Sequence, residues 1–468
     1  MGAWGSWRED LRAATSWPAD GGVTVRMATD CTGLAVPELA LRAYGNLHGV
    51  RTEVAWCCDN HPACLEFAKK NLRPNLQLSD MLDRQFQADS FLTATQDGRR
   101  VLVSQDEVSL DLYVAGTMCT PFSPKGARGG FADPKAKTFF QFFKTLATMR
   151  PRVAVLENST GILNKRNRAQ LLAILKTTSG YARKVYTLRT SKFKLPQHRV
   201  RAYLVLLRRD AVRLPVDQAF RHIQRSLAQV QAESTPPFPE FFETVGESLR
   251  ARRFPATPMA TYVTRGDHGD RKCKCAASSL CTLHRCSCSA CHRAGRPTLA
   301  CKWRRHVKTY LAGKTKAKLQ YLRMWRSIQK DPALKEAPDY FDLAAKRGIN
   351  LCHLTSPRER ALLRSLSQHQ NLHKPSVVVD ISQSVHRACF RTDGLVPALG
   401  TGCGRVMATG YGTLLTSDQC LWLQGVNPAG IILDGISEQD RFRMAGNAMS
   451  LPVVGAVIVA ALSTLKWT

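Results

Sequence analysis

The stretch LDLYVAG (110–116) is followed by a glycine-containing loop, by TFFQFFKTLATM (138–149) and by RVAVLEN (152–158). The first and last segments are short apolar runs rich in β-branched residues, which is typical of buried strands. The middle segment has the apolar spacing of an amphipathic helix. Nearly continuous apolar strands joined by helices are typical of a parallel sheet that is covered on both faces. The stretch therefore predicts an α/β fold.

The same alternation extends outward in both directions. We predict further strands at VRMAT (25–29), TEVAWC (52–57) and RAYLVLLRR (201–209), and helices at PELALRAYG (37–45), PACLEFAKKN (62–71) and RAQLLAILKTT (168–178). Two of these helices begin with proline, which is favoured in the first helical turn. Residues 25–209 are thus expected to form a doubly wound sheet. Ligands of such sheets lie beyond the carboxyl ends of the strands, so the loops after residues 29, 57, 116 and 158 should surround one site.

The rest of the chain has a different organisation. Residues 1–24 are predicted to be an N-terminal tail, and the strand–helix alternation stops near Asp210. We interpret 210–380 as a separate domain, with helical stretches at 217–232, 316–330 and 358–367. Residues 381–468 end in an apolar run, Leu451 to Leu465, which is too short to span a membrane and is predicted to be a buried helix.

We expect no secretory signal, because the N-terminal residues include acidic and basic side chains and lack an apolar core. We therefore expect an intracellular protein that does not bind a membrane, located in the nucleus if the source is eukaryotic. Its 16 cysteines should then be reduced and serve catalysis, metal binding or packing.

The charge is strongly unbalanced. Lys and Arg total 67 against 36 Asp and Glu, which gives a net charge of +31. Such an excess attracts polyanions, although a merely soluble basic surface or a membrane-facing patch has the same composition. Local clustering favours nucleic acid, since 265–330 holds seventeen Lys or Arg against two Asp.

Three groups of polar residues follow or open predicted strands. Cys119 lies in the loop GTMCTPFSPKGARGG (116–130), where a cysteine is either an exposed nucleophile or a small buried apolar residue. Glu157 follows RVAVL and either faces the same crevice or is a solvated strand end. Gln197, Arg199 and Arg201 alternate along an incoming strand, so both arginines can face one pocket.

In their order along the chain, these motifs resemble those of the DNA cytosine-5 methyltransferase family. CTPFS resembles the nucleophile motif, ENS the glutamate motif and QHRVR the Gln-x-Arg-x-Arg motif. LTSDQCLWLQGVNP and GNAM resemble the two C-terminal motifs. The resemblance covers roughly 25–210 and 380–465, which implies that 381–468 returns to the catalytic domain. The segment between corresponds to the family's variable target-recognition domain.

The resemblance implies a cytosine-C5 methyltransferase that uses S-adenosylmethionine (SAM) and acts on double-stranded DNA. It assigns to Cys119 the attack on cytosine C6, which makes C5 nucleophilic. Glu157 would hydrogen-bond the N3 and amino edge, while Arg199 and Arg201 would hold the cytosine O2 and the active-site loop. The implied substrate-binding residues are Phe122, Ser123, Asn158 and Gln197.

The SAM motif departs from the family pattern. TDCTGLAVPELAL (29–41) keeps one glycine, has Cys31 where an aromatic is usual, and lacks the glycines that follow. Cys57 stands where the family has an acidic residue for the ribose hydroxyls. Met118 and Thr120 replace the proline and glutamine beside the nucleophile, which suggests a divergent branch. The cofactor residues that the resemblance implies are Cys31, Gly33, Asp59, Asp80 and Asn447.

A Cys/His-rich insert spans 273–306. Thiolate and imidazole ligands at spacings of two to five residues suit tetrahedral zinc, and free thiols in a loop are the alternative. His292 is also interleaved. The predicted structural-zinc ligands are Cys273, Cys275, Cys281, His284, Cys286, Cys288, Cys291 and Cys301.

Two other functions stay open at this point. One branch of this fold modifies tRNA, so an RNA cytosine-5 methyltransferase is the alternative within the same chemistry. A catalytically silent nucleic-acid-binding regulator is the alternative from another class, and the altered SAM motif is its support. The presence of Cys119, Glu157 and Arg199 favours an enzyme.

Overall fold

The structure is a computed structural model of the 468-residue chain. It describes residues 7–15, 22–241 apart from 124, 125 and 127, then 340–346, scattered positions between 351 and 372, 374–383 and 389–467. The predicted helices at 316–330 and the zinc insert lie outside the described residues. Parts of the predicted helix at 358–367 also lie outside the described residues.

The described strands run from β1 near the N-terminus to β16. They are β1 (Thr24–Asp30), β2 (Arg51–Cys58), β3 (Leu76–Leu78), β4 (Gln85–Phe86), β5 (Ser90–Ala94), β6 (Arg100–Ser104), β7 (Leu112–Gly116), β8 (Val153–Ser159), β9 (Tyr181–Arg189), β10 (Gln197–His198), β11 (Val200–Arg208), β12 (Val378–Asp380), β13 (Cys389–Arg391), β14 (Val396–Pro397), β15 (Val406–Ala408) and β16 (Thr413–Leu414).

The described α-helices run from α1 to α10. They are α1 (Trp7–Ala14), α2 (Val36–His48), α3 (Pro62–Leu72), α4 (Lys137–Met149), α5 (Lys165–Lys176), α6 (Val216–Gln229), α7 (Tyr340–Lys346), α8 (Ser417–Trp422), α9 (Glu438–Asn447) and α10 (Leu451–Leu462).

A seven-stranded sheet in the order β3-β2-β1-β7-β8-β11-β9 organises the first part of the chain. Neighbouring strands from β3 to β8 run parallel, whereas β11 is antiparallel to both β8 and β9. The order reverses between β1 and β7, so the loops that follow these two strands diverge and leave a crevice at the carboxyl end of the sheet. The predicted doubly wound α/β fold is confirmed.

Helices cover both faces of this sheet because its central strands are apolar on both sides. One face packs under α4 and α5, with Phe139 and Phe142 fully buried on the α4 side. The other face lies under α10, which contacts α2, α6 and the strands β8 and β11. All of α10 is buried, in agreement with the helix predicted from the apolar run.

The N-terminal segment differs from the tail that the sequence predicted. Residues Trp7–Ala14 form α1, which packs on α6 and α10. Trp7 and Leu11 are buried. The amphipathic spacing of these two apolar residues in a short, charged helix was the signal for this contact, and the tryptophan supplies a large apolar area to bury.

Strand β9 was not predicted. Its sequence, YARKVYTLR, mixes charged and apolar residues, because β9 is the edge strand of the sheet and pairs only with β11. The edge position keeps alternate side chains exposed, so the continuous apolar run typical of the central strands is absent.

The described chain divides into two compact units. The first consists of 1–236, 398–404 and 416–468, and the second of 237–397 and 405–415. Helix α6 therefore belongs with the large sheet, and the boundary lies near residue 236 rather than at 209. The C-terminal return to the first unit comes in two pieces rather than as one segment from 381.

The second unit contains a small antiparallel sheet in the order β13-β12-β15-β16. Val379 of β12 and Met407 of β15 are register partners and contribute to a separate apolar core with Tyr340 of α7. An ion pair between the buried Glu359 and the partly exposed Arg405 also lies in this unit.

Within the described residues, no single helix has the length and apolar character needed to cross a membrane. The bent pair α9 and α10 passes that test only when the two helices are combined.

The contact between α1 and α10 is testable through Gly455. A Cβ at this position would lie 2.6 Å from Cη2 of Trp7 and 3.2 Å from Cβ of Ala40. We expect Gly455→Ala to lower the free energy of unfolding by about 1–3 kcal/mol through overpacking. Because Trp7→Ala removes the clashing ring, the same Gly455→Ala change should cost much less in the Trp7→Ala background.

Urea unfolding of the two single variants and the double variant measures this coupling. Gly430→Ala is the matched control, since a Cβ there meets no atom within 4 Å. Strict additivity of the two single effects would contradict the packing of α1 on α10.

Candidate active site

The thiol of Cys119 is presented by a tight turn just after β7. The Cys119 carbonyl accepts hydrogen bonds from the backbone N–H groups of Phe122 (3.0 Å) and Ser123 (2.8 Å). Cys119 itself is half-buried and unbridged. Phe122 is buried against Phe131, with ring centroids 4.9 Å apart. The aromatic contact anchors the turn, so Phe122 holds the loop in place.

Gly126 allows the second half of the nucleophile loop (116–130) to pack closely against the first half. A Cβ on Gly126 would lie 1.9 Å from the carbonyl oxygen of Thr120, so a larger residue cannot occupy this position without moving the backbone. Arg128 has a positive φ of 58°, and Gly130, φ 63°, follows two residues later. The base of the loop is therefore a compact, turned structure.

Glu157 lies on β8 beside the start of the nucleophile loop. It is the register partner of Gly116 on β7 and of Tyr203 on β11. The Glu157 carboxylate is buried, and its Oε1 is 3.1 Å from Nε of Arg201. Burial, followed by the charge of Glu157, raises the pKa of Tyr203, so its phenol is neutral.

Asn158 ties β8 to the nucleophile loop. Its Nδ2 donates to the carbonyl oxygen (3.2 Å) and the Oγ1 (3.0 Å) of Thr117, and its Oδ1 accepts from the Ser159 backbone (2.8 Å). Asn158 is fully buried. The amide that was predicted to contact substrate is thus engaged in positioning Thr117, two residues before Cys119.

The two arginines of the QHRVR motif enter the site from the sheet. Arg199 is buried and its Nη1 donates to the Leu399 carbonyl (3.2 Å). Burial, and then the charge of Arg201, lower the pKa of Arg199 to about 10, so it still carries its charge at neutral pH. Gln197 is also buried, and its Nε2 donates to the Leu423 carbonyl (3.2 Å).

The site contains buried polar atoms that lack a hydrogen-bond partner. Leaving such atoms unsatisfied costs about 1–3 kcal/mol each, so their clustering indicates a site made for a polar ligand. Both donors and acceptors are present in this group. They are Oγ1 of Thr120, Oε1 of Gln197 and Nε of Arg199, while Oε1 of Glu157 and Nε of Arg201 lack an aligned hydrogen bond but form an ion pair with each other at 3.1 Å.

A second part of the crevice lies at the end of β1. The turn between β1 and α2 has positive φ at Cys31 (51°), Gly33 (54°) and Ala35 (52°). The N–H of Gly33 donates to Asp59 Oδ2 (2.8 Å), and that of His61 donates to Asp59 Oδ1 (2.9 Å). Asp59, predicted to bind cofactor, therefore uses both oxygens to hold the backbone of the turn.

The turn is anchored from below by a buried ion pair that the sequence did not indicate. Nη1 and Nη2 of Arg84 lie 2.6 Å and 2.5 Å from the two oxygens of Asp30. Trp56 (3.1 Å) and Tyr113 also donate to this carboxylate. Burial alone would lower the pKa of Arg84, but the Asp30 carboxylate outweighs it and raises that pKa.

Asp80 and Cys31 face the same crevice. Oδ1 of Asp80 accepts from the N–H of Leu82 (2.9 Å) and begins a short 3₁₀ turn, Met81–Asp83. The Cys31 thiol lies 3.7 Å from the Met81 sulfur. Burial, then the charges of Asp59, Asp30 and Asp80, raise the pKa of Cys31, so this thiol is neutral.

Asn447 makes fewer contacts than the other predicted cofactor residues. It is exposed at the end of α9, and the structure gives it no side-chain hydrogen bond to the other predicted cofactor residues. The preceding residue, Gly446, packs against the backbone of Gly400. A Cβ on Gly446 would lie 2.0 Å from the Gly400 carbonyl oxygen. The GNAM motif is thus held by backbone packing.

Among the described residues, no group of three or more His, Cys, Asp or Glu has the geometry to hold a metal ion. The predicted zinc ligands, between Cys273 and Cys301, lie outside these residues.

Comparison with known families finds a match over part of the chain. Residues 48–252, which carry Cys119, Glu157, Arg199 and Arg201, match the family described as C-5 cytosine-specific DNA methylase. The match covers slightly less than half of the chain. The four residues that the motif resemblance named as catalytic fall inside the matched segment.

Similarity to individual relatives is confined to a short stretch. The orphan methyltransferase M.SPRI of Bacillus phage SPR is 35% identical over 105 residues, which is 22% of this chain and 24% of that protein. The type II methyltransferase M.HgiCI of Herpetosiphon aurantiacus is 35% identical over 102 residues, with the same coverage of 22% and 24%. The matched stretch spans about a quarter of these relatives.

A solved structure of similar extent is a putative DNA modification methyltransferase encoded within a prophage (E. coli). The structural alignment covers 94% of this chain and 99% of the prophage protein, at 12% sequence identity and with a TM-score of 0.48. This similarity is too low to bear on the assignment.

The Asp30–Arg84 pair yields a stability prediction. Arg84→Met leaves the Asp30 carboxylate buried without its cation and should lower the free energy of unfolding by about 3–5 kcal/mol. Arg99→Met is the matched control, because the Arg99–Asp97 pair is exposed and should contribute about 0–1 kcal/mol. Chemical denaturation of both variants measures the difference, and equal losses would show that the buried pair does not anchor the turn.

Proposed function

We propose that this chain transfers a methyl group from SAM to C5 of cytosine in DNA, with Cys119 as the nucleophile. The observation that carries the proposal is the combination of unsatisfied polar atoms on Thr120 and Arg199 with the buried Glu157–Arg201 ion pair, beside the turn that carries Cys119. A pyrimidine edge offers both the donors and the acceptors that these atoms require. The family match supports the same reaction.

The residues of the site divide the chemistry between them. Cytosine C5 is a poor nucleophile, and addition of the Cys119 thiolate at C6 makes C5 electron-rich. The buried Glu157 carboxylate, paired through Oε1 with Arg201, is placed to hydrogen-bond the N3 and amino edge of the base and to hold the proton at N3 as negative charge develops in the ring. Once C5 carries the methyl group that bound SAM would supply, loss of the C5 proton to a base would form the C5=C6 double bond, expel the Cys119 thiolate and restore the aromatic ring.

The arginines position these groups. Nε of Arg201, 3.1 Å from Glu157 Oε1, keeps the carboxylate oriented toward the site. Arg199 places a second positive charge close enough to Cys119 for the two groups to interact, so this charge lies near the sulfur that attacks C6. With its Nη1 on the Leu399 carbonyl, Arg199 retains Nε as a donor for the cytosine O2.

The residues at the end of β1 fit SAM. The left-handed turn from Cys31 to Ala35 leaves the amino end of α2 facing the crevice, and the Cys31 and Met81 sulfurs form a soft apolar surface suited to a purine ring. Asp80 keeps one carboxylate oxygen beyond its cap to Leu82. When bound, SAM supplies an electrophilic methyl group on a sulfonium.

DNA is the proposed substrate because of the charge around the site. Residues 158–209, which include both arginines, contain thirteen Lys or Arg and no Asp or Glu. Such a surface supplies the phosphate contacts of nucleic-acid binding, and a base in a duplex must be flipped out to reach the half-buried Cys119. Because the same excess of Lys and Arg suits binding to DNA, we also propose a nuclear location if the source is eukaryotic.

Methyl transfer from labelled SAM to unmethylated and hemimethylated duplex DNA, with bisulfite mapping, tests the reaction. We expect Cys119→Ala to bring transfer below detection, because the C6 adduct cannot form. Cys389→Ala is the matched control, since Cys389 is another half-buried cysteine outside any disulfide and lies in the second unit. Its activity should stay within about twofold of the wild type, as expected of a position away from special features.

The same assay separates the alternatives. Transfer to tRNA but not to duplex DNA would replace DNA by RNA as the substrate. Binding of DNA without binding of SAM would support a silent regulator. Full activity of Cys119→Ala would overturn the proposed nucleophile.

We also propose that the Cys/His-rich insert binds structural zinc within the recognition region. Seven cysteines and two histidines between Cys273 and Cys301 supply soft ligands at suitable spacing, and their basic surroundings suit contact with phosphates.

Zinc content measured on the full-length purified protein should be one or two equivalents. Replacing Cys286 and Cys288 together by Ser should remove at least one equivalent, whereas Cys389→Ala should remove none. An unchanged zinc content in the double variant, or no zinc in the wild type, would favour free thiols.

A further inference from the structure

The large sheet has a second edge, which lies opposite the candidate active site. Strands β7 and β8 begin at this amino-terminal edge and β11 ends there, since Leu112 pairs with Val153 and Val153 with Leu207. Cys119 follows β7 and Glu157 lies near the end of β8, so both belong to the other edge. A group that binds at the amino-terminal edge therefore lies away from the base that Cys119 is proposed to attack.

The loops at the amino-terminal edge are basic. Residues 150–152, 208–213 and 465–467 contain six Lys or Arg and one acid, Asp210. Four of these cations are exposed, and each lies in a loop rather than within a strand. They are Arg150, Arg209, Arg213 and Lys466.

These three loop segments form one surface. Nη1 of Arg208 donates to the Arg150 carbonyl (2.5 Å), and Nζ of Lys466 donates to the Asp210 carbonyl (3.2 Å). The Asp210 carboxylate is 2.8 Å from Nε of Arg208. Because the acid of these segments is already paired, the surface keeps a net positive charge.

Helix α6 begins at this edge and extends the basic surface. Asp217, in its first turn, is its only acid. Along the outer side of α6 runs a groove of about 790 Å³, in which Arg221 and Arg225 are exposed one turn apart. The described residues that line the groove include no acid. They are Leu214, Gln218, Arg221, Gln224, Arg225 and Ala228. We call this groove, together with the three loop segments, the distal basic surface.

The pKa of His222 shows that the cations of the loops and of α6 are close together. Burial, followed by the charges of Arg213 and Arg225, lowers the pKa of His222. Lys184 of β9 also lies beside the groove, because its Nζ donates to Oε1 of Gln224 (2.8 Å). Positive charge from a loop, a helix and a strand is therefore gathered in one region.

The spacing of the two groove arginines suits a polyanion. Arg221 and Arg225 are four positions apart, a spacing at which like charges destabilise a helix. Neither forms an ion pair with a carboxylate in the part of the chain that the structure describes. Bound phosphates would offset the repulsion, and guanidinium groups bind phosphate oxygens bidentately. Two guanidinium groups about 6 Å apart along the helix axis favour successive phosphates of a nucleic acid over one small anion.

We propose that the distal basic surface binds the phosphate backbone of a second double-stranded DNA segment while the first segment occupies the catalytic crevice. The choice of DNA as the polyanion rests on the proposed function, whereas the charge and the groove do not. Because the surface lies at the edge opposite Cys119, one chain can hold two duplexes and stay on DNA when its crevice releases a methylated site.

Capture of a second duplex by the full-length protein tests the proposal. One duplex is fixed to beads, the protein is bound to it, and the retention of a labelled second duplex is measured as the salt concentration is raised. We expect the wild type to retain the labelled duplex at low salt. Sedimentation of the complex in solution should give two duplexes for each chain.

Arg221→Gln combined with Arg225→Gln should lower the affinity for the second duplex at least about fivefold. The slope of log affinity against log salt should become shallower by about 2, because each lost phosphate contact removes about 0.9. Methyl transfer to a short duplex should stay within about twofold of the wild type, as expected of surface positions away from the site.

Lys69→Gln combined with Arg73→Gln is the matched control. These two exposed cations have the same spacing of four positions at the end of α3, which precedes the strand at the other end of the sheet. The control removes the same charge and should leave the capture of the second duplex unchanged. The melting temperature of each double variant identifies any that does not fold.

Three outcomes would overturn the proposal. They are no capture by the wild type, unchanged capture by the α6 double variant, and an equal loss in both double variants, which would show an effect of net charge alone. A complex of two chains that each hold one duplex would overturn it as well. If polyglutamate but not a second duplex is retained, and only when Arg221 and Arg225 are present, the surface accepts an acidic protein instead of DNA. Capture of a second duplex without methyl transfer would contradict the proposed function and support the distal basic surface.

Discussion

The shared register of β7, β8 and β11 is the constraint on which the site depends. It makes Gly116 the neighbour of Glu157 on one side and Tyr203 the neighbour of Glu157 on the other. A Cβ on Gly116 would lie 2.9 Å from the Met449 side chain and 3.9 Å from the Glu157 carboxylate. The missing side chain at the end of β7 thus leaves room for the Met449 side chain next to Glu157. The chain that leaves Gly116 brings Cys119 to the same edge three residues later. Because β11 runs in the opposite direction, Arg199 and Arg201 arrive at that edge at the start of their strand.

The crevice separates polar groups that hold the structure from polar groups that are open to a ligand. Asp30, Asp59 and Asn158 are buried or nearly so, and their hydrogen-bonding atoms are engaged with Arg84, with backbone N–H groups and with Thr117. Buried polar groups of this kind are stable only when satisfied, and they fix the turns on which function depends. Polar atoms without a hydrogen-bond partner lie on other residues, such as Glu157, Arg199 and Glu38. A charged side chain in this crevice is therefore not enough to indicate contact with a ligand; an open atom on it is the better sign.

The divergence of the SAM motif has a structural counterpart in the backbone. The position held by Ala35 keeps a φ of 52°, a conformation that favours glycine, and the turn is still formed. The Asp59 hydrogen bonds to Gly33 and His61, together with the Asp30–Arg84 pair below, over-determine this turn and compensate for the strain. The turn thus keeps three positive φ values although only one of the three residues, Gly33, is a glycine.

The amino-acid sequence by itself determined the doubly wound sheet, its five main strands from β1 to β11, the buried C-terminal helix and the grouping of Cys119, Glu157, Arg199 and Arg201. These follow from apolar periodicity and from short motifs, which are local in the chain. Only the tertiary structure decided that α1 packs into the core, that β9 completes the sheet as an edge strand, that Arg84 pairs with Asp30 and that Glu38 meets Cys57. The reason is physical: those contacts join residues that are far apart in sequence or polar in character. Whether a polar side chain is satisfied, and so whether it is structural or open to a ligand, depends on neighbours that no local pattern specifies.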